Sequence, residues 1–332
     1  MNKLKILNQI VKPIKPVVGK AYTLLAKRPL LRKYIFLSSI AIETSSICNL
    51  RCPGCYRTSH DSPGKNKTMS LQDFKLYIDQ LPSVFMLILH GYGEPTINPD
   101  LIEMVKYAYN TKKFNYINFV TNALARKPTI YEELFANGLS DIRISVDSLN
   151  QQEADQLRPG TNVELLEKNL TYLLGKFADK ISIITVVSNV NILTIQGTIE
   201  RLIGLGAKTF KLQPYEDLGN ATRCLSDIQR KSYLRIAEDF KLSGINIISS
   251  PNFKAIKTTC YNPYFAPAIN VEGYLTPCCR IMNEKIFNFG NLKKTPFKEL
   301  YFSKQVDAMQ KRMKHGKYPH FCDVCPSKPR KT

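Results

Sequence analysis

An α/β fold, built from six strand–helix repeats and followed by a small cysteine-rich α+β segment, is what this 332-residue chain predicts. Three observations carry that expectation. Strand-like stretches alternate with helix-period stretches from about residue 36 to residue 243. The nine cysteines fall mostly into two groups, one behind the first strand and one towards the C-terminus. A hydrophobic content of 44% is enough to fill a real core, which excludes disorder as a description of the whole chain. Alternation of this kind implies parallel strands joined by crossover helices, hence an open or closed barrel. A complete eight-unit barrel needs more repeats than the chain supplies.

The strands are placed at 36–46, 84–90, 115–121, 141–147, 181–188 and 208–213, with helices near 70–80, 98–112, 128–137, 149–176, 194–205 and 225–242. Leu101, Met104, Val105, Ala108 and Tyr109 share one helical face, and Asn98 with Pro99 just ahead of them forms a helix start. In the fourth strand Asp141, Arg143, Ser145 and Asp147 alternate with Ile142, Ile144 and Val146. One face is therefore apolar and packs on helices, while the polar face lines the barrel. Past residue 244 the pattern breaks into short strands and turns. Three regions follow: a basic extension over 1–35, a barrel over 36–243 and a cysteine-rich domain over 244–332.

The formal charge of +20 is carried by the ends. Residues 1–42 hold nine basic side chains and no acidic one, and residues 303–332 hold eight basic and two acidic. Such ends suit a phosphate-bearing substrate or an anionic membrane surface, or simply a solvated basic surface. Leu4, Leu7, Val11, Ile14 and Val18 keep a helical apolar spacing beside the lysines, but Pro13 and Pro16 interrupt it. No stretch approaches the ~18 apolar residues of a membrane span, and the first 30 residues lack a secretory signal pattern. A cytoplasmic protein, at most peripheral to the membrane, is expected. Nucleic acid is not an expected partner. In a reducing compartment clustered cysteines point to metal ligation or thiol chemistry rather than to disulfides.

Cys48, Cys52 and Cys55 stand in CNLRCPGC, a C-x3-C-x2-C spacing just after the first strand. Three thiolates so close can hold a cubane iron–sulfur cluster and leave one iron open, since the next cysteine along is Cys224. Zinc prefers paired C-x2-C units, which this spacing lacks. Near the C-terminus Cys260, Cys278, Cys322 and Cys325 supply four thiolates, with Gly273 placed to turn a short hairpin. By count alone either one fully ligated 4Fe–4S cluster or a zinc ribbon is satisfied. Cys224 and Cys279 read as buried structural cysteines, Cys279 also as an alternative ligand or a thiol acid/base.

The first motif resembles the cluster-binding loop of the radical S-adenosylmethionine (SAM) superfamily, and further residues extend the likeness. The resemblance implies a partial (βα)6 parallel barrel, SAM, and a 4Fe–4S cluster on Cys48, Cys52 and Cys55. His90-Gly91-Tyr92-Gly93-Glu94-Pro95 ends the second strand where the family carries a Gly-Gly-Glu-like element for the methionyl amino group. Thr121 and Asn122 end the third as a TNG-like turn does. Ser145 and Asp147 stand where relatives contact the ribose, and Asn189 and Gln213 where they contact carboxylate and adenine. One departure concerns the residue before the third cysteine, usually aromatic in the family. Here it is Gly54, with Tyr56 following Cys55 instead. The second cysteine group resembles the SPASM/twitch extensions, which implies an auxiliary 4Fe–4S cluster on Cys260, Cys278, Cys322 and Cys325. The full SPASM pattern has more cysteines, so the one-cluster, twitch-like form is expected.

What the resemblance implies about chemistry is reductive cleavage of SAM and abstraction of a hydrogen atom by a 5′-deoxyadenosyl radical, with electrons from a flavodoxin- or ferredoxin-type partner. A small sugar-, cyclitol- or phosphate-like substrate, oxidised or epimerised with the auxiliary cluster as electron acceptor, is the expected case. The residues before the first strand are too few for a peptide-recognition domain. A peptide maturase forming thioethers, C–C links or epimers is the alternative, and a non-catalytic metal or electron carrier a third. Arg143, Tyr215 and Glu216 are placed to meet an anionic or hydroxylated substrate.

Overall fold

The computed structural model describes residues 37–58, 66–215, 221–249, 260, 262–323 and 325. The basic extension over 1–35 and Glu216 lie outside the described residues. Ser38–Thr332 form one compact unit.

The first strand, β1, is Leu37–Ile42, and five strand–helix repeats follow it. They run α1 Leu71–Gln80, β2 Val84–Ile88, α2 Leu101–Asn110, β3 Phe114–Thr121, α3 Ile130–Ala136, β4 Asp141–Ser145, α4 Gln151–Leu157, α5 Val163–Phe177, β5 Ile181–Val187, α6 Ile195–Gly204, β6 Thr209–Pro214 and α7 Asp227–Leu242. Each helix turns an apolar stripe to the sheet, for example Leu166, Leu170 and Leu173 of α5 and Ile195, Ile199 and Leu202 of α6, all fully or nearly buried. These meet the apolar face of the strands, where Leu87, Phe119, Ile142, Ile144, Ile183 and Phe210 have no exposure. Caps fix where helices begin. Ser70 accepts from Asp73 N at 3.1 Å, Asn162 from Leu165 N at 2.8 Å, and Ser226 with Gln229 closes a capping box at α7. Tyr109 is 48% exposed, unlike the other four residues of its expected stripe, because it sits at the edge of α2 over Gly138.

The parallel run does not stop at residue 243. Asn246–Ser249 forms β7 and pairs with β6 in parallel, which carries the sheet one strand past that position. That region is also joined to the barrel at its other edge. Helix α8 (Asn262–Phe265) leads into β8 (Ala268–Ile269), which pairs in parallel with β1 through Ala41↔Ala268 and Ile42↔Ile269. A hairpin to β9 (Tyr274–Thr276) turns at Gly273, whose φ of +86° only glycine adopts without cost, and β10 (Gly290–Asn291) completes the edge. Among the described residues the ten strands make one open sheet in the order β10-β9-β8-β1-β2-β3-β4-β5-β6-β7. Helices α9 (Phe297–Tyr301) and α10 (Lys304–Lys314) follow, α10 burying Val306, Met309 and Met313. Among the described residues no helix is long and apolar enough to cross a membrane.

Candidate active site

The loop after β1 carries Cys48, Cys52 and Cys55. Backbone turns fold it back on itself, with Cys55 N donating to Cys52 O at 3.1 Å and Thr58 Oγ1 donating to Cys52 O and Cys55 O. The three thiols are electrostatic neighbours. Leu50 N donates to Cys48 Sγ and Arg57 N to Cys55 Sγ, both at 3.4 Å, while Asn122 Nδ2 approaches Cys48 Sγ at 3.9 Å. Burial pushes the Cys48 thiol up and the Cys52 thiol up to about 11, since nothing in the chain alone balances a buried thiolate fully.

The loop after β2 packs directly onto this one, and two glycines permit it. A Cβ on Gly93 would lie 2.3 Å from Ser45 O and 2.5 Å from Ile47 O. On Gly91 it would lie 2.4 Å from Glu43 Cγ. Glu43, at the end of β1, is 1% exposed and accepts from Tyr92 N at 2.8 Å and Val271 N at 3.0 Å, tying three segments together. Glu94 works in the same way. Its carboxylate accepts from Thr96 Oγ1 and Thr121 Oγ1 at 2.7 Å each and from Asn122 N at 2.8 Å, so the ends of β2 and β3 share one buried anchor. Burial raises the Glu94 pKa against those bonds. The Glu94 carboxylate thus also holds the loops around it together.

At the end of β4 the two expected residues, Ser145 and Asp147, line one pocket. Ser145 lines it with Leu50, Asn122, Leu124 and Arg158. Asp147 has both oxygens engaged, accepting from Arg158 Nε and from Val186 N at 2.7 Å each. It braces Arg158, which lines the same pocket. Arg158 is an electrostatic neighbour of Cys52 and Cys55, and the turn it opens packs on the cysteine loop through Arg51 N to Pro159 O at 3.0 Å. That turn divides the helix expected over 149–176 into α4 and α5. Asn189 donates from its side chain to Thr222 O at 2.7 Å, which holds it to the loop after β6. Gln213 lies on β6, half-buried and opposite Val186.

Tyr215 answers the missing aromatic residue. A Cβ on Gly54 would meet Tyr215 Cε2 at 2.5 Å, so the ring following β6 occupies the space in front of the cysteine loop that a side chain at 54 would fill. Glycine at 54 and tyrosine at 215 are a matched pair. On the inner face of the sheet Arg143 of β4 and Lys211 of β6 are electrostatic neighbours of His90, whose pKa falls to about 4 through burial and then through those two cations. Its expected consequence has a definite sign. The folded chain keeps His90 neutral while the unfolded chain takes up a proton below about pH 6.5, so stability present above that pH is lost as pH falls towards 4, by at most about 3 kcal/mol. Denaturant titrations of wild type and His90→Gln at pH 7 and pH 5 should show the variant losing less; parallel losses would exclude the assignment.

The second cysteine group is linked to the first through Tyr56, Tyr92 and Arg280. Cys260, Cys278, Cys279 and Cys325 are electrostatic neighbours, and Cys322 joins them through a turn in which Cys325 N donates to Cys322 O at 3.1 Å. Burial raises the thiols of Cys260, Cys278 and Cys279. Cys279 packs on a buried cluster of Ala41, Tyr92, Ala268 and Met282. Between the two groups stand Tyr56 and Tyr92, stacked with ring centroids 6.0 Å apart and planes 5° from parallel. Tyr92 OH donates to Arg280 O at 2.9 Å and accepts from Met282 N at 3.1 Å, while Arg280 Nη1 donates to Tyr56 OH at 2.8 Å. Removing the hydroxyl in Tyr92→Phe should cost about 1–3 kcal/mol in denaturant unfolding, because the Met282 amide is left buried without a partner. A loss under about 0.3 kcal/mol would mean that the cysteine loops are joined in some other way.

Both thiol sets fit iron–sulfur clusters. The buried thiols lack a compensating positive core, amide donors already point at two of them, and glycines hold the surrounding loops close. Among the described residues no three His, Cys, Asp or Glu side chains converge at the spacing of a single metal ion.

An open parallel sheet, a three-cysteine loop at the head of β1 and a second cysteine group on the same sheet define a radical SAM enzyme with an appended iron–sulfur domain. The chain belongs to the radical SAM superfamily: that family's profile matches residues 42–202, and the SPASM iron–sulfur cluster-binding domain matches residues 260–326. As such it uses SAM and 4Fe–4S clusters. It is 30% identical over 176 residues to a mycofactocin maturase of Mycobacterium ulcerans, covering 52% of this chain and 46% of that protein. The chain thus spans about half the length of that relative. Over 326 residues it is 27% identical to an AdoMet-dependent heme synthase of Methanosarcina barkeri, covering 86% and 90% of the two chains. Among solved structures, Streptococcus suis SuiB bound to S-adenosylmethionine shares the fold with a TM-score of 0.65 at 16% identity, over 82% of this chain and 67% of that one. SuiB has also been solved with its precursor peptide SuiA.

Proposed function

We propose that this chain is a SPASM-type peptide maturase, which uses SAM radical chemistry to modify a residue of a precursor peptide. The observation that carries the reading is the joint arrangement of the two cysteine groups on one sheet, bridged by Tyr56 and Tyr92. Its likeness to a mycofactocin maturase and to SuiB favours a peptide over the small polar substrate expected from sequence. Cys48, Cys52 and Cys55 would hold the radical cluster, and Cys260, Cys278, Cys322 and Cys325 the auxiliary one. When bound, the radical cluster supplies the electron that cleaves SAM and so generates the hydrogen-abstracting radical.

The chain's own residues orient and enclose. Glu94 and Glu43 fix the loops after β1, β2 and β3, Asn122 and the Leu50 amide donate towards Cys48, and Ser145 offers its hydroxyl at the pocket beside Arg158. Tyr215 closes the space over Gly54, which excludes water from that side of the loop. Gln213, Gly91, Tyr92 and Gly93 complete the surroundings of SAM in this reading, Asp147 and Asn189 contributing by holding their neighbours in place.

The test is anaerobic incubation of reconstituted protein with SAM, dithionite and short peptides encoded beside its gene. A cross-link lowers the peptide mass, and an epimer takes up deuterium from D2O. If 5′-deoxyadenosine forms while every such peptide stays unchanged, the peptide reading is wrong. One observation favours a small-molecule substrate instead, namely that the match to heme synthase runs over nearly the whole of both chains.

A further inference from the structure

Beneath the cysteine loop, on the face of the sheet opposite the helices, polar groups lack partners in a complementary way. Arg143 of β4 is half-buried, yet its guanidinium makes no hydrogen bond or ion pair among the described residues. Two buried acceptor oxygens are equally unmatched. Among the described residues, Asn118 is 0% exposed and its Oδ1 has no hydrogen-bond partner; Asp141, opposite it in the β3–β4 register, takes a hydrogen bond from Tyr116 on Oδ2 and none on Oδ1. A natural interior leaves few such atoms, and two of them on one face beside a half-buried guanidinium mark a place where something else binds. Lys211 adds a second positive charge close by: it pairs with Ile184, which in turn pairs with Ser145, two residues along β4 from Arg143. Asp141, an electrostatic neighbour of Arg143, brings one negative charge against the two cations, so the sum over these groups is positive.

We propose that this inner face is an oxyanion site, in which Arg143, supported by Lys211, receives a carboxylate or phosphate of the substrate while Asn118 and Asp141 accept its hydrogen-bond donors. A guanidinium offers a planar fork that a carboxylate or phosphate matches with two parallel bonds. Ser145, two residues along β4 from Arg143, lines the pocket beside Arg158, so the anchored group would lie along the same strand as that pocket. Resting on the peptide reading above, the substrate class is a peptide with an acidic residue, or a free C-terminal carboxylate, beside the modified position. Free phosphate or a small dicarboxylate carries the same chemistry, and the experiment separates these sources.

Calorimetric titration of the anaerobically reconstituted holoprotein with four probes decides the matter: inorganic phosphate, glutarate, acetyl-Gly-Glu-Gly-amide and acetyl-Gly-Gln-Gly-amide. The glutamate peptide should bind at least about tenfold more tightly than the glutamine peptide, and Arg143→Gln should erase that preference. Lys211→Gln should weaken it and Lys211→Arg preserve it, with the exposed Lys285→Gln as an unaffected control. Binding of glutarate or phosphate alone, lost in Arg143→Gln, upholds the site and assigns it to a small acid. Binding of no probe, or binding indifferent to both Arg143→Gln and Lys211→Gln, overturns it. Iron content and SAM cleavage on the same preparations keep the two readings apart. Their loss in wild type strikes at the enzyme assignment, whereas intact values with no probe binding strike only at the oxyanion site.

Discussion

Replacing Cys48, Cys52 and Cys55 together by Ala should abolish formation of 5′-deoxyadenosine and leave about half the iron, roughly four of about eight atoms per chain. The expectation follows from the separation of the two thiol sets. Cys48, Cys52 and Cys55 occupy one loop, while Cys260, Cys278, Cys322 and Cys325 sit on the far side of the Tyr56–Tyr92 stack with their own turn. Loss of one set does not remove ligands from the other. Changing Cys322 and Cys325 to Ala should therefore have the mirror effect, keeping SAM cleavage while lowering iron by a similar amount. Metal analysis and anaerobic product assay on the same samples give both numbers. Full iron retention in the triple variant would show that the cluster is held elsewhere. Zinc in place of the remaining iron would assign the second set to a zinc ribbon.

Much of this site is legible in the sequence because it depends on local spacing. Three cysteines within eight residues need only a turn to converge, and a strand's alternation places Asp141, Arg143 and Ser145 on one face without any long-range information. Six strands and the helices between them are read from the same periodicities, to within a few residues. What escapes is of another kind. Ala268–Ile269 is too short to show any period, so its pairing with β1, which fuses the two expected domains into one sheet, has no sequence signal. Asn246–Ser249 is similarly short and follows a glycine turn at Gly244. Tyr215 lies far along the chain from Gly54, and only the folded sheet brings its ring into the space that glycine leaves. Glu94 and Asp147 carry the right chemistry for ligand contacts, and their carboxylates also brace neighbouring strands, a role that spacing does not show. Arg158 could have been found: Pro159 and Gly160 break an otherwise continuous helical pattern, and a cation at such a break next to a cysteine loop is a functional candidate.

Arg158 is also where the largest single-residue effect on stability is expected. Its Nε donates to Asp147 at 2.7 Å, with side-chain exposures of 18% and 9%, and Asp147 receives a second bond from Val186 N. Replacing it with Leu strands a carboxylate in a site that water scarcely reaches, and breaking a buried pair in this way costs about 3–5 kcal/mol. Adding Asp147→Asn removes the stranded charge while still accepting from Val186 N, so the double variant should regain a large part of the loss. Urea unfolding of the four proteins in the cycle yields the coupling directly, and additive losses would mean that the pair contributes little. A second reading distinguishes a bystander from a group that tunes the site. Because Arg158 is a positive neighbour of Cys52 and Cys55, its removal should make the radical cluster harder to reduce, shifting its midpoint potential negative, while Arg158→Lys should move it less. Asp147→Asn alone leaves the cation in place without its counter-charge, and the potential should then move the opposite way. Two substitutions within one ion pair, both destabilising but opposite in their effect on the cluster, would be hard to obtain from loosened packing, which has no reason to follow the sign of the charge removed.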